Sequence, residues 1–126
     1  MMTDEGIVRA EIGAWSRNDV DEVMSHFAED ATFYIRPDWP TLSGRDAIHE
    51  LTKAFFARGT CVDLEILHLA LDGDVVLMER RGHWIVGGEQ KTWPVMGAYQ
   101  VHNEKITAWR EYFYRRSRPD LSFHCR

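Results

Sequence analysis

The sequence predicts an α+β protein in which three helices precede a curved antiparallel sheet. Apolar residues follow a helical spacing in the first third of the chain, and from residue 60 the pattern changes to a period of two. Three turn signals then divide the second half into four strands. Helices grouped before a run of hairpins are typical of α+β proteins. A long bent sheet with helices on one side leaves a pocket, where function is expected to reside.

The first two helices are indicated by apolar stripes and a cap. Val8, Ile12 and Trp15 recur at steps of four and three residues, so they share one helical face. Asp19 followed by Glu22 is a capping box, in which an acceptor at the helix start is joined by a carboxylate three residues later. The apolar stripe behind this box predicts a second helix.

A strand and a third helix are predicted next. Residues 31–36 are rich in β-branched and aromatic side chains and stop at Pro37, which predicts a short strand. Residues 37–44 contain two prolines and a glycine and predict a loop. Ser43 is expected to cap the third helix, and Gly59 is expected to end it.

Four consecutive strands are predicted between residue 60 and residue 114. In the first of them, alternation places Val62, Leu64 and Ile66 on one face. In the third, Pro94 and Gly97 interrupt the pattern and indicate a bulge or bend. The turns that connect the strands are indicated by three dipeptides, Asp72-Gly73, Gly87-Gly88 and Asn103-Glu104.

Length and composition indicate one domain over residues 1–126, with residues 115–126 as a C-terminal tail. A chain of 126 residues, 44% hydrophobic and 28% charged, can bury one core but not two. The net charge of −5 argues against nucleic-acid binding. The sequence has no signal-peptide pattern and no apolar run that could span a membrane. Two cysteines cannot form a disulfide framework or a four-ligand zinc site, so we expect a reduced, cytoplasmic protein.

Strand alternation identifies two charged residues as candidates for the site. Arg80, Gly82 and Trp84 share one face of the second long strand, and His83 lies on the other. If Glu111 of the last strand faces the pocket, its carboxylate is buried among aromatic side chains and needs a cation, for which Arg80 is the natural partner. The opposite, outer face of that strand is expected to be buried in a homodimer and carries Ile106, Ala108, Arg110, Tyr112 and Tyr114.

Several segments resemble limonene-1,2-epoxide hydrolase and its SnoaL-like relatives. These are Glu79-Arg80 and residues 93–97 (WPVMG), 106–113 (ITAWREYF), 27–32 (FAEDAT) and 44–48 (GRDAI). The resemblance covers roughly residues 5–114 and implies the NTF2-like, or cystatin-like, cone fold, in agreement with the predicted order of elements. This fold hosts isomerases, dehydratases, cyclases, hydrolases and binding proteins, so the function has to be argued from the site.

The resemblance implies a hydrolase site of which this chain keeps only part. In those enzymes an Arg bridges two Asp residues, one taking a proton from water and one giving a proton to the epoxide, while a Tyr and an Asn hold the water. The Arg falls on Arg80 and the Asp of the last strand on Glu111. The proton-donating Asp falls on Gly82. The Tyr falls on Phe33 and the Asn on Ile35. A register slip of one residue would instead put Tyr34 and Arg36 at the water-holding positions.

The sequence therefore predicts cofactor-free acid–base chemistry on a small hydrophobic oxygenated molecule, of isomerase, dehydratase, cyclase or hydrolase type, but not epoxide hydrolysis. Glu111 would transfer a proton and Arg80 would stabilise an oxyanion. The histidines have no metal-ligand spacing. A non-catalytic small-molecule-binding or dimerisation module with a structural ion pair is the alternative. The candidate substrate-binding residues are Trp109, Phe113, Trp84, Phe33, Ile35 and Tyr34.

Overall fold

Three helices and six strands form from the part of the chain that the structure describes. The computed structural model describes residues 2–35 and 39–113, with the backbone alone for Phe113. The predicted C-terminal tail and Tyr114 lie outside these residues. In chain order the elements are α1 (Asp4–Trp15), α2 (Val20–Met24), β1 (Phe27–Tyr34), β2 (Leu42–Ser43), α3 (Arg45–Arg58), β3 (Gly59–Asp72), β4 (Val75–Val86), β5 (Glu89–His102) and β6 (Lys105–Phe113).

The six strands form one sheet in the order β2-β1-β6-β5-β4-β3. Strands β3 to β6 are an antiparallel meander, which confirms the predicted run of four strands. Strand β1 begins at Phe27, four residues earlier than predicted, and runs parallel to β6. The sheet is therefore mixed at this edge, because alternation within a strand does not specify which strand becomes its neighbour.

The ends of α2 and α3 show one confirmed cap and one correction. The Asp19 side chain accepts a hydrogen bond from the Glu22 backbone N–H at 3.1 Å, as the capping box predicts. Ser43 does not cap α3, because it pairs with Thr32 in the sheet. Gly44 occupies the cap position with φ of 98°, a conformation that favours glycine, and makes no side-chain cap hydrogen bond.

An extra residue near the start of β3 reverses part of the predicted burial pattern. Pairing with β4 shifts between Cys61 and Asp63, so Val62 bulges out and is 50% exposed. Cys61 and Leu64 are buried instead. The Asn18 side chain holds this bulge, since its amide nitrogen donates to the Cys61 carbonyl at 2.9 Å and its oxygen accepts from the Cys61 N–H at 3.0 Å.

Strand β5 has no bulge at Pro94 or Gly97, where the sequence predicts a bulge or a bend. Strand β5 pairs with β4 along its whole length without a register shift. In the pairing of β5 with β6, Thr107 is the extra residue. The shift turns Ile106 into the core, where it is fully buried, so its predicted place on the outer face is wrong. One inserted residue exchanges the two faces of a strand.

Aromatic side chains fill the space between the sheet and the helices. The ring of Trp109 in β6 stacks on Phe33 with centroids 4.1 Å apart and on Tyr99 at 5.6 Å. Trp15, at the end of α1, meets Trp109 edge-on at 6.0 Å. This cluster anchors α1 to the sheet and forms one wall of the site. None of the helices within the described residues is long and apolar enough to cross a membrane.

Candidate active site

A cavity of about 430 Å³ lies between the sheet and helices α1 and α3. Its walls are mainly aromatic and aliphatic, and the charged side chains among those lining it are Arg58, Arg80 and Glu111. Arg58 and Trp93 are exposed and mark the rim. Arg80 and Glu111 are only 4% and 6% exposed, which places the buried charges at the bottom of an apolar cavity.

Arg80 and Glu111 form an ion pair across an intervening strand. The Arg80 Nη2 atom donates a hydrogen bond to Glu111 Oε1, although β5 lies between their strands. The guanidinium passes over Gly97, where a Cβ atom would lie 2.9 Å from Arg80 Nη1 and 3.6 Å from Glu111 Oε2. Gly97 therefore provides the room for the pair.

In each member of the pair, the charge of the partner opposes the effect of burial on the pKa. Burial raises the pKa of Glu111, while the charge of Arg80 and its hydrogen bond lower it. Burial acts to lower the pKa of Arg80, whereas the charge of Glu111 and its hydrogen bond act to raise it, and the net direction is above the ordinary value. Arg80 therefore stays charged, and Glu111 is a carboxylate made more basic by its apolar surroundings.

A second buried carboxyl group, Glu11 of α1, lies near the pair and was not identified from the sequence. It is completely buried, and Trp15 Nε1 donates a hydrogen bond to its Oε2 atom at 2.7 Å. Burial raises the pKa of Glu11 to about 8; the Trp15 hydrogen bond and Arg80 lower it, and Glu111 raises it. The missed signal was its position three residues after Val8 and four before Trp15, which puts a carboxyl group on the apolar face.

Tyr99 of β5 completes this buried polar group. Its side chain is fully buried beside Trp109, and its Cε1 atom lies 3.4 Å from the Cβ position of Gly97. Burial raises the pKa of the Tyr99 phenol well above its ordinary value, so the hydroxyl stays protonated. The hydroxyl is near Arg80 but has no aligned hydrogen bond among the described residues.

Of the predicted substrate-binding residues, some line the cavity and others do not. Trp84, Trp109 and Ile35 line it, whereas Phe33 lies behind Trp109 and is not part of its lining. Tyr34 does not line it: strand alternation points its side chain to the outer face, where its ring lies 5.9 Å from that of Tyr112. The side chain of Phe113 lies outside the described residues.

The position that resembles the hydrolase acid has no acid and little space. Gly82 lines the cavity, and a Cβ atom there would lie 3.3 Å from Trp84 Nε1 and 3.4 Å from Leu64 Cδ2. His83 points to the outer face, as alternation predicts, and its ring contacts Glu65 at 3.0 Å. Within residues 2–35 and 39–113, no cluster of three or more His, Cys, Asp or Glu side chains is arranged to hold a metal ion.

Comparison with known proteins establishes the family. Residues 3–117 match the family model of the limonene-1,2-epoxide hydrolase catalytic domain, and the chain belongs to this family. An LEH-like epoxide hydrolase from M. tuberculosis is 27% identical over 86% of this chain and 80% of its own, with a TM-score of 0.75.

Two further solved structures share the fold at lower identity. A candidate SnoaL-like polyketide cyclase from Shewanella denitrificans is 15% identical, covers 88% of this chain and 90% of its own, and superposes with a TM-score of 0.77. An NTF2-like protein of unknown function from Burkholderia pseudomallei is 16% identical, with coverage of 90% and 92% and a TM-score of 0.78. The predicted NTF2-like, SnoaL-like fold is confirmed.

Proposed function

We propose that this protein is a cofactor-independent enzyme that moves a proton on a small, mostly apolar, oxygenated molecule. The observation that carries the proposal is the Arg80–Glu111 pair at the bottom of an apolar cavity of about 430 Å³. Glu111 Oε2 and Arg80 Nη1 have no hydrogen-bond partner among the described residues, although both atoms are buried. An unpaired acceptor beside an unpaired donor is suited to a reacting C–H and a nearby oxygen.

The chemistry follows from the different roles of the two side chains. Glu111 takes a proton from a carbon next to a carbonyl group, and the C–H electron pair moves into an enolate whose oxygen becomes negative. Arg80 stabilises that oxygen, and Glu111 then returns the proton to the same carbon or to another carbon of the conjugated system. Exclusion of water by the aromatic walls strengthens the attraction between Arg80 and the oxyanion.

The cavity supports this choice of substrate class. A volume of about 430 Å³ lies within the range of small-molecule sites, roughly 300–1,000 Å³. Trp84 and Trp109 offer aromatic surface to a ring or a hydrocarbon, while the polar contacts are concentrated at Arg80 and Glu111. A substrate with one oxygen function and an otherwise apolar body matches this distribution.

Proton exchange is the reaction to measure. A panel of small cyclic ketones in deuterated water should lose α-hydrogen NMR signals in the presence of the protein, and Glu111→Gln should slow the exchange by roughly 10²–10⁴. Glu79→Gln, which changes an exposed outer-face glutamate, is the matched control and should exchange as the wild type does. Binding of these ketones without exchange would reject the enzymatic proposal in favour of a binding module.

Epoxide hydrolysis is not expected from this site. The positions that resemble the proton donor and the two water-holding residues are Gly82, Phe33 and Ile35, none of which can transfer a proton or hydrogen-bond a water through its side chain. We expect no diol above the uncatalysed background when limonene-1,2-epoxide is incubated with the protein and analysed by gas chromatography. Rapid diol formation that disappears in Arg80→Ala would contradict this reasoning.

We also propose that two copies of the chain associate through the outer face of the sheet. Met96 and Tyr112 lie directly opposite each other on β5 and β6 and are 48% and 52% exposed. Leu77 on β4 adds a further exposed aliphatic side chain to this face. Light scattering at micromolar concentration should give the mass of a dimer, and Tyr112→Glu should shift it toward the monomer. A monomeric wild-type protein would reject the proposal.

A further inference from the structure

The buried polar atoms that lack a hydrogen-bond partner within the described residues all belong to one group of side chains. Buried nitrogen and oxygen atoms are almost always hydrogen-bonded, so several unpaired atoms in one place indicate a polar group that the side chains do not supply. These atoms are Glu11 Oε1, Arg80 Nε, Arg80 Nη1, Tyr99 Oη, Trp109 Nε1 and Glu111 Oε2.

Four different elements bring these atoms together. Arg80 comes from β4, Tyr99 from β5 and Glu111 from β6. A Cβ atom placed on Gly97 would lie within 3.6 Å of an atom of each of these side chains. Glu11 approaches from α1, where Trp15 Nε1 donates a hydrogen bond to its Oε2 atom at 2.7 Å. The Trp15 ring meets that of Trp109 at 6.0 Å, and Trp109 stacks on Tyr99, so the Glu11 carboxyl group lies on the same side of the sheet as the other atoms. The missing side chain of Gly97 lets the Arg80 guanidinium lie close to both Tyr99 and Glu111.

The charges of this group do not balance unless it holds a proton. Glu11 and Glu111 are two buried carboxyl groups, whereas Arg80 is the one buried guanidinium beside them in the described part of the chain. With both carboxyl groups ionised, the cluster would carry a net charge of about −1 in an apolar interior, which is costly. One bound proton makes the cluster neutral, and the two carboxyl groups then titrate as a coupled pair.

We propose that Glu11, Arg80, Tyr99 and Glu111 enclose a binding site for one water molecule, and that Glu11 and Glu111 share a single proton through this water. In the transfer, the O–H bond of the Glu11 carboxyl group breaks as its proton moves to the water. An O–H bond of the water breaks at the same time, and its proton forms a bond to Glu111 Oε2. The water is unchanged, and the net charge of the cluster is constant.

This inference deepens the proposed function, because the shared proton decides when Glu111 is free to accept another. Glu11 does not line the cavity, so it acts as a positioning residue through the water and does not contact substrate. The groups that face it from the elements packed against α1 are Arg80, Tyr99 and Glu111. The elevated pKa of Glu11, about 8, fits the carboxyl group that holds the proton in the resting protein.

Carboxyl-carbon NMR of the full chain can follow the two ionisations separately. In Glu111→Gln, Arg80 loses its carboxylate partner and becomes available to Glu11. The acid ionisation constant of Glu11 should then rise at least about tenfold, which means that its pKa falls. In Glu11→Gln, no second carboxyl group remains to share the proton, so Glu111 should titrate in a single step. Glu79→Gln on the outer face is the matched control and should leave the Glu11 titration unchanged. A Glu11 titration that is the same in Glu111→Gln and in the wild type would overturn the proposal.

A high-resolution crystal structure of the wild-type protein tests the water site without any substitution. We expect one ordered water within hydrogen-bond distance of Glu11 Oε1, Tyr99 Oη and Glu111 Oε2. Side-chain atoms filling the space between the two carboxyl groups would overturn the proposal. Neither measurement uses a substrate, so the two proposals can fail separately. If Glu11 and Glu111 titrate as a coupled pair but no ketone exchanges its α-hydrogens, only the proposed function is rejected. If ketones exchange but the two carboxyl groups are not coupled, only this inference is rejected.

Discussion

Removing the Arg80 guanidinium should destabilise the fold more than removing both members of its ion pair. The Arg80 and Glu111 side chains are only 5% and 7% exposed, so little water is available to replace a lost partner. Arg80→Met keeps an unbranched apolar stem but leaves the Glu111 carboxylate without its cation. Adding Glu111→Leu removes that stranded charge and leaves two apolar side chains in contact.

The magnitudes separate the three variants. Breaking a buried ion pair by removing one partner costs roughly 3–5 kcal/mol, and we expect Arg80→Met to lie in this range. Glu111→Leu should cost less, because Glu11 can ionise and compensate Arg80. The double variant should return close to the wild-type stability, since an apolar pair of similar volume is often neutral or better. The coupling energy of the cycle should therefore exceed about 2 kcal/mol.

Urea denaturation at neutral pH measures all three free energies of unfolding. Fluorescence of the buried tryptophans Trp15 and Trp109 follows the transition, and unchanged m-values show that the variants can be compared. Arg81→Met, an exposed change on the other face of β4, is the control and should stay within about 0.5 kcal/mol of wild type. Additive effects in the cycle would show that Arg80 and Glu111 are not coupled, and both the catalytic and the structural interpretation of the pair would fail.

Two further predictions concern the groups around this pair. Gly97→Ala places a Cβ atom 2.9 Å from Arg80 Nη1 and should cost about 1–3 kcal/mol in urea denaturation while slowing proton exchange. Gly13→Ala in α1 meets nothing closer than 3.8 Å and should be neutral or slightly stabilising; equal effects of the two changes would refute the steric argument. The pKa of Glu11 is the ordinary 4.5 in the unfolded chain and about 8 in the folded protein. Between these two pH values the folded state binds one more proton than the unfolded state. The free energy of unfolding should therefore fall by about 5 kcal/mol as the pH rises from 4.5 to 8. Glu11→Gln should flatten this decline, which thermal denaturation at pH values on both sides of the interval can check.

The sequence by itself determined the elements and much of the site. Helical spacing predicted α1, and the capping box predicted α2. The change to a period of two, together with the turn dipeptides, predicted the four-strand meander, because each of these signals is carried by neighbouring residues. Alternation also placed Arg80 and Trp84 on one face and His83 on the other, as the structure shows. The resemblance of the segments around Arg80 and Glu111 correctly indicated the family.

Tertiary structure decided where alternation was interrupted. The bulge at Val62 and the extra residue at Thr107 each exchange the faces of a strand, so Val62 is exposed and Ile106 is buried. Neither insertion has a local signature, because a bulge depends on how two strands pair. Pro94 and Gly97 have such a signature, yet β5 remains regular against β4 at both residues.

The composition of the site was decided by contacts between distant parts of the chain. Only the sheet order β4-β5-β6 places Arg80 two strands away from Glu111, and only a glycine at residue 97 lets the guanidinium cross between them. In the sequence, Glu11 is one of three acidic residues on α1, beside Asp4 and Glu5 in its first turn. Its burial beside Arg80 results from α1 lying across the sheet at Trp15, because a carboxyl group takes its protonation state from the surroundings that the fold brings to it.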